Sequence, residues 1–477
     1  MTAGAEHGNT LNMNVELMRA RLLVLSLLCL LAPAPASARQ QGPLALAREL
    51  LKEMIETDTT GEHGDTTPLA EALARRFRAA GFPEQDVHVA GPQARHRNLV
   101  VRLRGRGEGR PLLVLAHLDV VEARPQDWTV PPFHLTEKDG WLYGRGTQDI
   151  KGEAAAEAAT FLQLKQEGFV PRRDLILALT TGEEGAVFYN GVDWLLKEHR
   201  DWIDAEYCLN GDGGGPESDQ GRPVFRAFQT SEKAPYNFEL TVADPGGHSS
   251  LPHPNTAIQL LAQGLARLDA WEPEPRLDET TRAFFRRLSA IQGGETGAVM
   301  AKAAGGDAAA MAALSKDPEW NAQLHTTLVT TIIQGGHATN ALPQRATAIV
   351  NCRLLPADDI LEIQRQLTKV LAEPRIQVRL LREPHANPAS PLRADLLGSV
   401  ERTTRAVWPE CPVVPTMETG GTDGSRLRRA GIPTYGISGI PVDRDDVRAH
   451  GQDERIRVTD FAAGVRACEL LIRELAR

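Results

Sequence analysis

The run Pro111–Glu122, PLLVLAHLDVVE, constrains this chain more than any other stretch: four apolar residues give way at once to His117 and Asp119. Leu112–Leu115 reads as a buried strand, and α/β sheets present functional side chains beyond the carboxyl ends of such strands. There, one imidazole nitrogen can bind a metal while a nearby carboxylate fixes the other. A satisfied core histidine would read the same way in isolation, so the rest of the chain decides.

The pattern returns downstream. Gly140–Tyr143 is a short strand before Gly144–Gly152, GRGTQDIKG, where glycines on both sides of Asp149 permit an unusual turn. Helix Glu153–Glu167 follows, then strand Asp174–Thr180, which ends in Thr181-Gly182-Glu183-Glu184-Gly185. Two adjacent glutamates after an apolar strand call for cations, because each buried charge is costly to desolvate; an exposed acidic turn is the plainer alternative. After helix Val192–Glu198, strand Glu206–Leu209 runs into Asn210-Gly211-Asp212-Gly213-Gly214-Gly215. Strand, acid and helix in alternation predict an α/β fold with a mostly parallel central sheet flanked by helices. Ahead of it, Leu44–Ile55 and Pro68–Ala80 have helical spacing, and strands Asn98–Leu103 and Leu112–Leu115 read as a hairpin across the basic turn Arg104–Arg110.

From about Ser231 the style changes. Tyr236–Val242 alternates like a half-exposed strand and ends at Gly246-Gly247-His248-Ser249-Ser250. Helix Thr256–Leu268, strands Leu328–Ile333 and Ala346–Leu354, helix Ile360–Leu371 and strand Ile376–Leu381 complete a β-α-β-β-α-β order, that of a ferredoxin-like domain. Between its first helix and second strand lies a helical insertion, 272–321, for which the sequence offers no role. The α/β style then resumes with helix Leu396–Ala406, strand Val413–Met417, the turn Gly420-Gly421-Thr422-Asp423-Gly424, strand Thr434–Ile437, the loop Ser438–His450 and helix Val458–Leu475. The first domain is therefore discontinuous: 42–230 and 387–477 flank an inserted domain, 231–386.

A chain of 477 residues exceeds one ordinary core, which agrees with two domains. Its net charge of −9 argues against nucleic acid or an anionic membrane surface as the main partner. Residues 1–38 read as a signal peptide: Arg19 and Arg21 precede the apolar Leu22–Leu31, and Ala36-Ser37-Ala38 offers a cleavage site before Arg39. Export to a periplasm or the exterior follows, with no stable membrane insertion after cleavage; a retained anchor is the alternative, and Met18 is a second candidate start. The widely spaced cysteines spell out neither a disulfide framework nor a thiolate metal site.

His117, Asp149, Glu184, Asp212 and His450 are thus expected at the strand ends or adjoining loops of one sheet. Mixed imidazole and carboxylate ligands suit zinc, or less specifically cobalt or manganese, and two metals sharing one bridging carboxylate is the economical arrangement. The order His-x-Asp, Asp before Lys-Gly, Glu-Glu, Asp and a late His resembles the M20 metallopeptidase family of carboxypeptidases, dipeptidases, aminoacylases and succinyl-diaminopimelate desuccinylases. The inserted domain matches as well, through Gly247-His248-Ser249-Ser250, Gly335-Gly336 with Asn340 and Pro343, and Arg353 before Pro356.

The resemblance implies two zinc ions per chain, one held by His117 and Asp212, the other by Glu184 and His450, with Asp149 bridging. Asp212 stands where many relatives have glutamate. Asp119 would orient His117, Glu183 would be the general base, and His248 would stabilise the oxyanion. Asn340, Arg353, Gly421 and Thr422 would bind substrate, the first two by gripping a free carboxylate. The implied reaction is hydrolysis of an amide or peptide bond next to a free α-carboxylate, by a carboxypeptidase or dipeptidase acting on small peptides, or alternatively by an N-acyl-amino-acid hydrolase. The inserted domain would be a lid and a homodimer interface, with His248 acting across it. An M28-type aminopeptidase has ligands in nearly the same order but typically lacks such an insertion; an inactive binding protein would have no use for Glu183.

Overall fold

Leucines and alanines at helical spacing give α1 (Pro43–Ile55) and α2 (Thr66–Ala79), the second capped by Asp65, whose carboxylate accepts from the Thr67 amide. The computed structural model describes residues 42–61, 63–185 and 189–477, of which Pro43–Arg477 are one unit. The expected signal segment lies outside them. Strands β1 (Val87–Gln93), β2 (His96–Leu103), β3 (Leu112–His117), β4 (Thr136–Lys138) and β5 (Trp141–Tyr143) come next. Helix α3 (Lys151–Gln166) leads to β6 (Leu175–Thr180), α4 (Gly191–Glu198), α5 (Arg200–Ile203), β7 (Tyr207–Asn210), β8 (Gly215–Asp219) and β9 (Arg222–Glu232).

The inserted segment contributes β10 (Ala234–Ala243), β11 (Gly247–His248) and α6 (Ala257–Asp269). Four more helices follow, α7 (Glu279–Gln292), α8 (Gly294–Ala304), α9 (Ala308–Leu314) and α10 (Pro318–Leu324). It closes with β12 (Thr327–Gly335), β13 (Ala341–Leu342), β14 (Arg345–Leu354), α11 (Ile360–Leu371) and β15 (Ile376–Leu380). The chain then returns through α12 (Ala394–Val407), β16 (Val413–Glu418), α13 (Gly424–Arg429), β17 (Thr434–Gly436), β18 (Val442–Asp443), β19 (Arg455–Arg457) and α14 (Val458–Leu475).

The main sheet has ten strands in the order β1-β2-β6-β3-β7-β17-β9-β8-β18, with β16 beside β9. Its centre, β6-β3-β7-β17, is parallel, whereas β2 runs antiparallel to β6, and β9 to both β17 and β8. Residues of β3 alternate between two cores: Leu112 and Val114 pack with α1, α2, α3 and α14, Leu113 and Leu115 with α4. The central strands are apolar on both faces because helices cover both.

This order corrects two expectations. β2 and β3 are not a hairpin, because β6 lies between them; the hairpin is β1–β2. The strand before Asp149, β5, is not in the main sheet but forms a separate three-stranded sheet with β4 and β19. Asp149 therefore reaches the site from a side loop rather than from a central strand end.

In the inserted segment the order β12-β14-β10-β15 is antiparallel throughout, with α6 and α11 sharing its core. The helical insertion does not stand apart. Phe285 and Leu288 of α7 share a core with Phe225 of β9 and Val414 of β16, and Arg287 donates to the Val413 carbonyl at 2.7 Å. Residues 272–321 thus cover one flank of the main sheet.

Candidate active site

His117 is the last residue of β3 and is buried. Its Nδ1 donates to the main-chain carbonyl of Asp119 at 2.9 Å, which leaves Nε2 facing Asp149 Oδ1 at 3.1 Å. The imidazole is thus oriented by the Asp119 backbone and not, as the sequence suggested, by its carboxylate. That carboxylate accepts from the amides of Gly182 (2.7 Å) and Glu184 (3.0 Å), so Asp119 shapes the turn that carries Glu183 and Glu184. Gly182 is required there: its φ is +78°, and a Cβ would lie 2.6 Å from the Tyr189 carbonyl.

Asp149 and His450 sit on two loops tied into one unit. Glu454, wholly buried, accepts from the amides of Gln148 (2.7 Å) and Asp149 (3.0 Å) through one oxygen. Its other oxygen accepts from Gly146 N (2.9 Å) and the buried Arg145 guanidinium (2.6 Å). The Gln148 side chain donates to the carbonyls of Asp446 and Arg455 and accepts from the Arg448 amide. His450 itself has φ +64°, in the left-handed region that few non-glycine residues enter.

Two groups of donors result. Ligand atoms of His117, Asp149 and Asp212 lie within 4.8 Å of one another, as do those of Asp149, Glu184 and His450. Asp149 belongs to both: Oδ1 faces His117, and Oδ2 lies 3.1 Å from His450 Nε2, which is also 2.9 Å from Glu184 Oε2. The five residues expected together are brought together.

The electrostatics show what these groups lack. Burial and the neighbouring Asp212 push the Glu183 carboxyl up to about 10; burial and Asp149 push Glu184 up to about 7. Asp212 is driven well above the carboxylate range by burial, despite the His117 charge. Burial also opposes ionisation of Asp149, yet hydrogen bonds from His117 and His450 hold it far below the usual range, and His450 rises to about 9 through its bond to Asp149. Among the described residues no lysine or arginine pairs with these acids, and Glu184 Oε1 is buried without a partner. Uncompensated carboxylates this close are stable when cations lie between them, and the mixed oxygen and nitrogen donors suit divalent metals.

Two cavities adjoin the cluster. One of about 260 Å³ is lined by Glu183 together with Arg353, Gly421 and Thr422. The other, of about 660 Å³, is lined by Asp149 and Asp212 with the apolar Ile150, Ile440, Val442 and Val447. Gly421 and Thr422 line both. The Thr422 hydroxyl donates to Glu232 (2.9 Å), which is also paired with the buried Arg428 (2.6 Å), so that side chain is committed to holding the wall.

His248 and Asn340 are elsewhere in the chain. They meet at the β11–β13 pair, where Ser249 N donates to the Asn340 carbonyl, and both are exposed. Asn340 precedes the start of β14 and Arg353 is near its end; Arg345 to Arg353 alone spans about 27 Å at about 3.4 Å per residue. Within one chain the two therefore lie too far apart to grip one carboxylate together. The sequence reading also missed Glu454 and Asp423, the latter buried and accepting from Thr180 and Asn190. Glu454 sits in a run rich in polar residues, where no spacing sets it apart, whereas Asp423, among glycines after β16, carried the same signal as Asp149 and Asp212.

A sheet that gathers imidazoles and carboxylates from separate loops around a further glutamate defines an enzyme of the metallopeptidase and amidohydrolase class. The chain belongs to peptidase family M20/M25/M40, whose model matches residues 113–474. It is 31% identical over 354 residues to the N-fatty-acyl-amino acid synthase/hydrolase PM20D1 of Xenopus tropicalis, covering 72% of this chain and 69% of that protein. It is 27% identical to the succinyl-diaminopimelate desuccinylase of Parvibaculum lavamentivorans, covering 90% and 94%. Among solved structures, an M20 family metallo-carboxypeptidase, Sso-CP2 from Sulfolobus solfataricus, shares the fold with a TM-score of 0.69 at 18% identity, over 90% of this chain and 99% of that one.

Proposed function

We propose that this enzyme hydrolyses the amide bond joining an acyl or aminoacyl group to an amino acid with a free α-carboxylate. His117 and Asp212 would hold one zinc ion and Glu184 and His450 a second, with Asp149 common to both donor groups. Bound there, zinc would acidify a water and polarise the scissile carbonyl. Glu183, which is not in either donor group, takes the proton from the attacking water and passes it to the leaving amine.

One observation carries this reading: the cavity that Glu183 lines is also lined by Arg353, which has no carboxylate partner among the described residues. A guanidinium fork beside the base suits a substrate carboxylate close to the scissile bond. The acyl half would then occupy the larger cavity, whose apolar wall favours an N-acyl amino acid over a dipeptide, as does the name of the frog relative.

The segment 231–386 serves as a lid and pairs with a second copy. Its edge strand β12 leaves Val329, Ile332 and Ile333 more than half exposed. In His248, Nδ1 accepts from Ser250 Oγ and N, so Nε2 carries the proton and is free to meet an oxyanion.

The test is a hydrolysis screen of N-acyl amino acids, dipeptides and longer peptides with zinc, cobalt and manganese, each beside its C-terminal amide. Cleavage of the acids but not of the amides is expected. Equal cleavage of the amides would remove Arg353 from the mechanism.

A further inference from the structure

The cavity beside Glu183 holds more positive charge than one carboxylate requires. Arg382, in the segment after β15, lines it together with Arg353 and also has no carboxylate partner among the described residues. The two meet at one point of β10. Arg353 is the register partner of Pro235, and Arg382 Nη1 donates to the Pro235 carbonyl at 3.4 Å, its guanidinium 5.8 Å from the Tyr236 ring centre.

A third guanidinium comes from α13. Arg429 reaches its only carboxylate neighbour among the described residues, Asp193, at 3.9 Å, and Asp193 is already engaged in a closer pair with Arg426. Instead, Arg429 Nη1 donates to His385 Nδ1 at 3.3 Å. That nitrogen also lies 3.3 Å from the Ala386 carbonyl, and His385 Nε2 is buried with no partner among the described residues. Burial and the charges of Arg382 and Arg429 push the pKa of this imidazole below its ordinary value. Tyr236 Oη fixes the histidine in place, donating to its carbonyl and accepting from its amide, both at 3.1 Å. The acids of the lining offset none of this: Glu183 serves as the base, and Glu232 is committed to Arg428 and Thr422.

We propose that the amino-acid half of the substrate is itself acidic, glutamate or aspartate, with its α-carboxylate on Arg353 and its side-chain carboxylate between Arg382 and Arg429. This rests on the cavity being the site of the leaving amino acid. A site that offers charged donors rejects a ligand lacking their partner, because those groups stay desolvated and unpaired. Leucine or phenylalanine in this position would leave two guanidiniums facing hydrocarbon. An acidic side chain meets both with charge-assisted hydrogen bonds.

The test compares N-acetyl conjugates of glutamate, aspartate, glutamine and leucine on the zinc-loaded enzyme, and in parallel measures binding of the free amino acids by calorimetry. We expect kcat/KM and affinity for glutamate to exceed those for glutamine and leucine by about 10- to 100-fold. In the double variant Arg382→Gln/Arg429→Gln the ratio of glutamate to glutamine should fall close to one. Glutamine or leucine handled as well as glutamate overturns the proposal while leaving the amidohydrolase reading intact. Selective binding of glutamate without cleavage of any conjugate supports the pocket and removes the reaction. A ratio unchanged in the double variant overturns the assignment of these arginines.

Discussion

The carboxylate of Glu454 accepts the main-chain amide of Asp149 at 3.0 Å, and so holds the acid whose two oxygens face His117 and His450. The same carboxylate is paired with buried Arg145, which makes Glu454 a positioning residue for both halves of the cluster.

Glu454→Gln keeps the shape but sets an NH₂ group against either the Gln148 and Asp149 amides or the Gly146 amide and the Arg145 guanidinium. Breaking a buried pair while leaving one charge behind typically costs about 3–5 kcal/mol. We expect a lower Tm and, in the protein that remains folded, a loss of bound metal measured by elemental analysis. Native metal content at reduced stability would confine Glu454 to a structural role.

Glu183→Gln removes the base and leaves both donor groups whole. Turnover should fall by about two or more orders of magnitude, the usual contribution of general-base catalysis, with metal content unchanged. Metal lost together with activity would make Glu183 a ligand and exchange the roles assigned to the glutamate pair.

His450→Ala deletes a donor from one group only. His117, Asp149 and Asp212 remain within 4.8 Å of one another, so about one metal per chain should persist in a folded protein. Two metals retained with full activity would exclude His450 as a ligand.

What the sequence disclosed depended on whether the signal was local. Ile360–Leu371 and Val458–Leu475 were legible to the residue because apolar spacing alone defines a packed helix face. β9 was not, because Arg226, Gln229 and Glu232 are buried in it and break the apolar pattern. The false hairpin of β2 and β3 has a different origin: nothing in Arg104–Arg110 says that β6, some sixty residues later, will lie between them. At the site, His117, Asp149, Glu184, Asp212 and His450 stood out as polar residues beside apolar strands or among glycines. Arg382, His385 and Glu454 occupy charged loops, where a side chain that faces a cavity and one that faces water are written alike.

His248 gives the prediction that depends most on assembly. It lies on the β11–β13 pair at the opposite end of the inserted sheet from Arg353, and among the described residues no hydrogen bond or ion pair links it to the metal donors. If two copies join along β12 in a closed two-fold arrangement, its Nε2–H would serve the neighbouring subunit's site. Mixing His248→Ala chains with Glu183→Gln chains decides between sharing and self-sufficiency. In a shared arrangement, a mixed dimer holds one site with both residues intact, and up to about half of the native activity per mixed dimer should return from two inactive parents. If mixed dimers form, as checked by differently tagged chains, and activity stays absent, His248 works within its own chain or takes no part in the reaction.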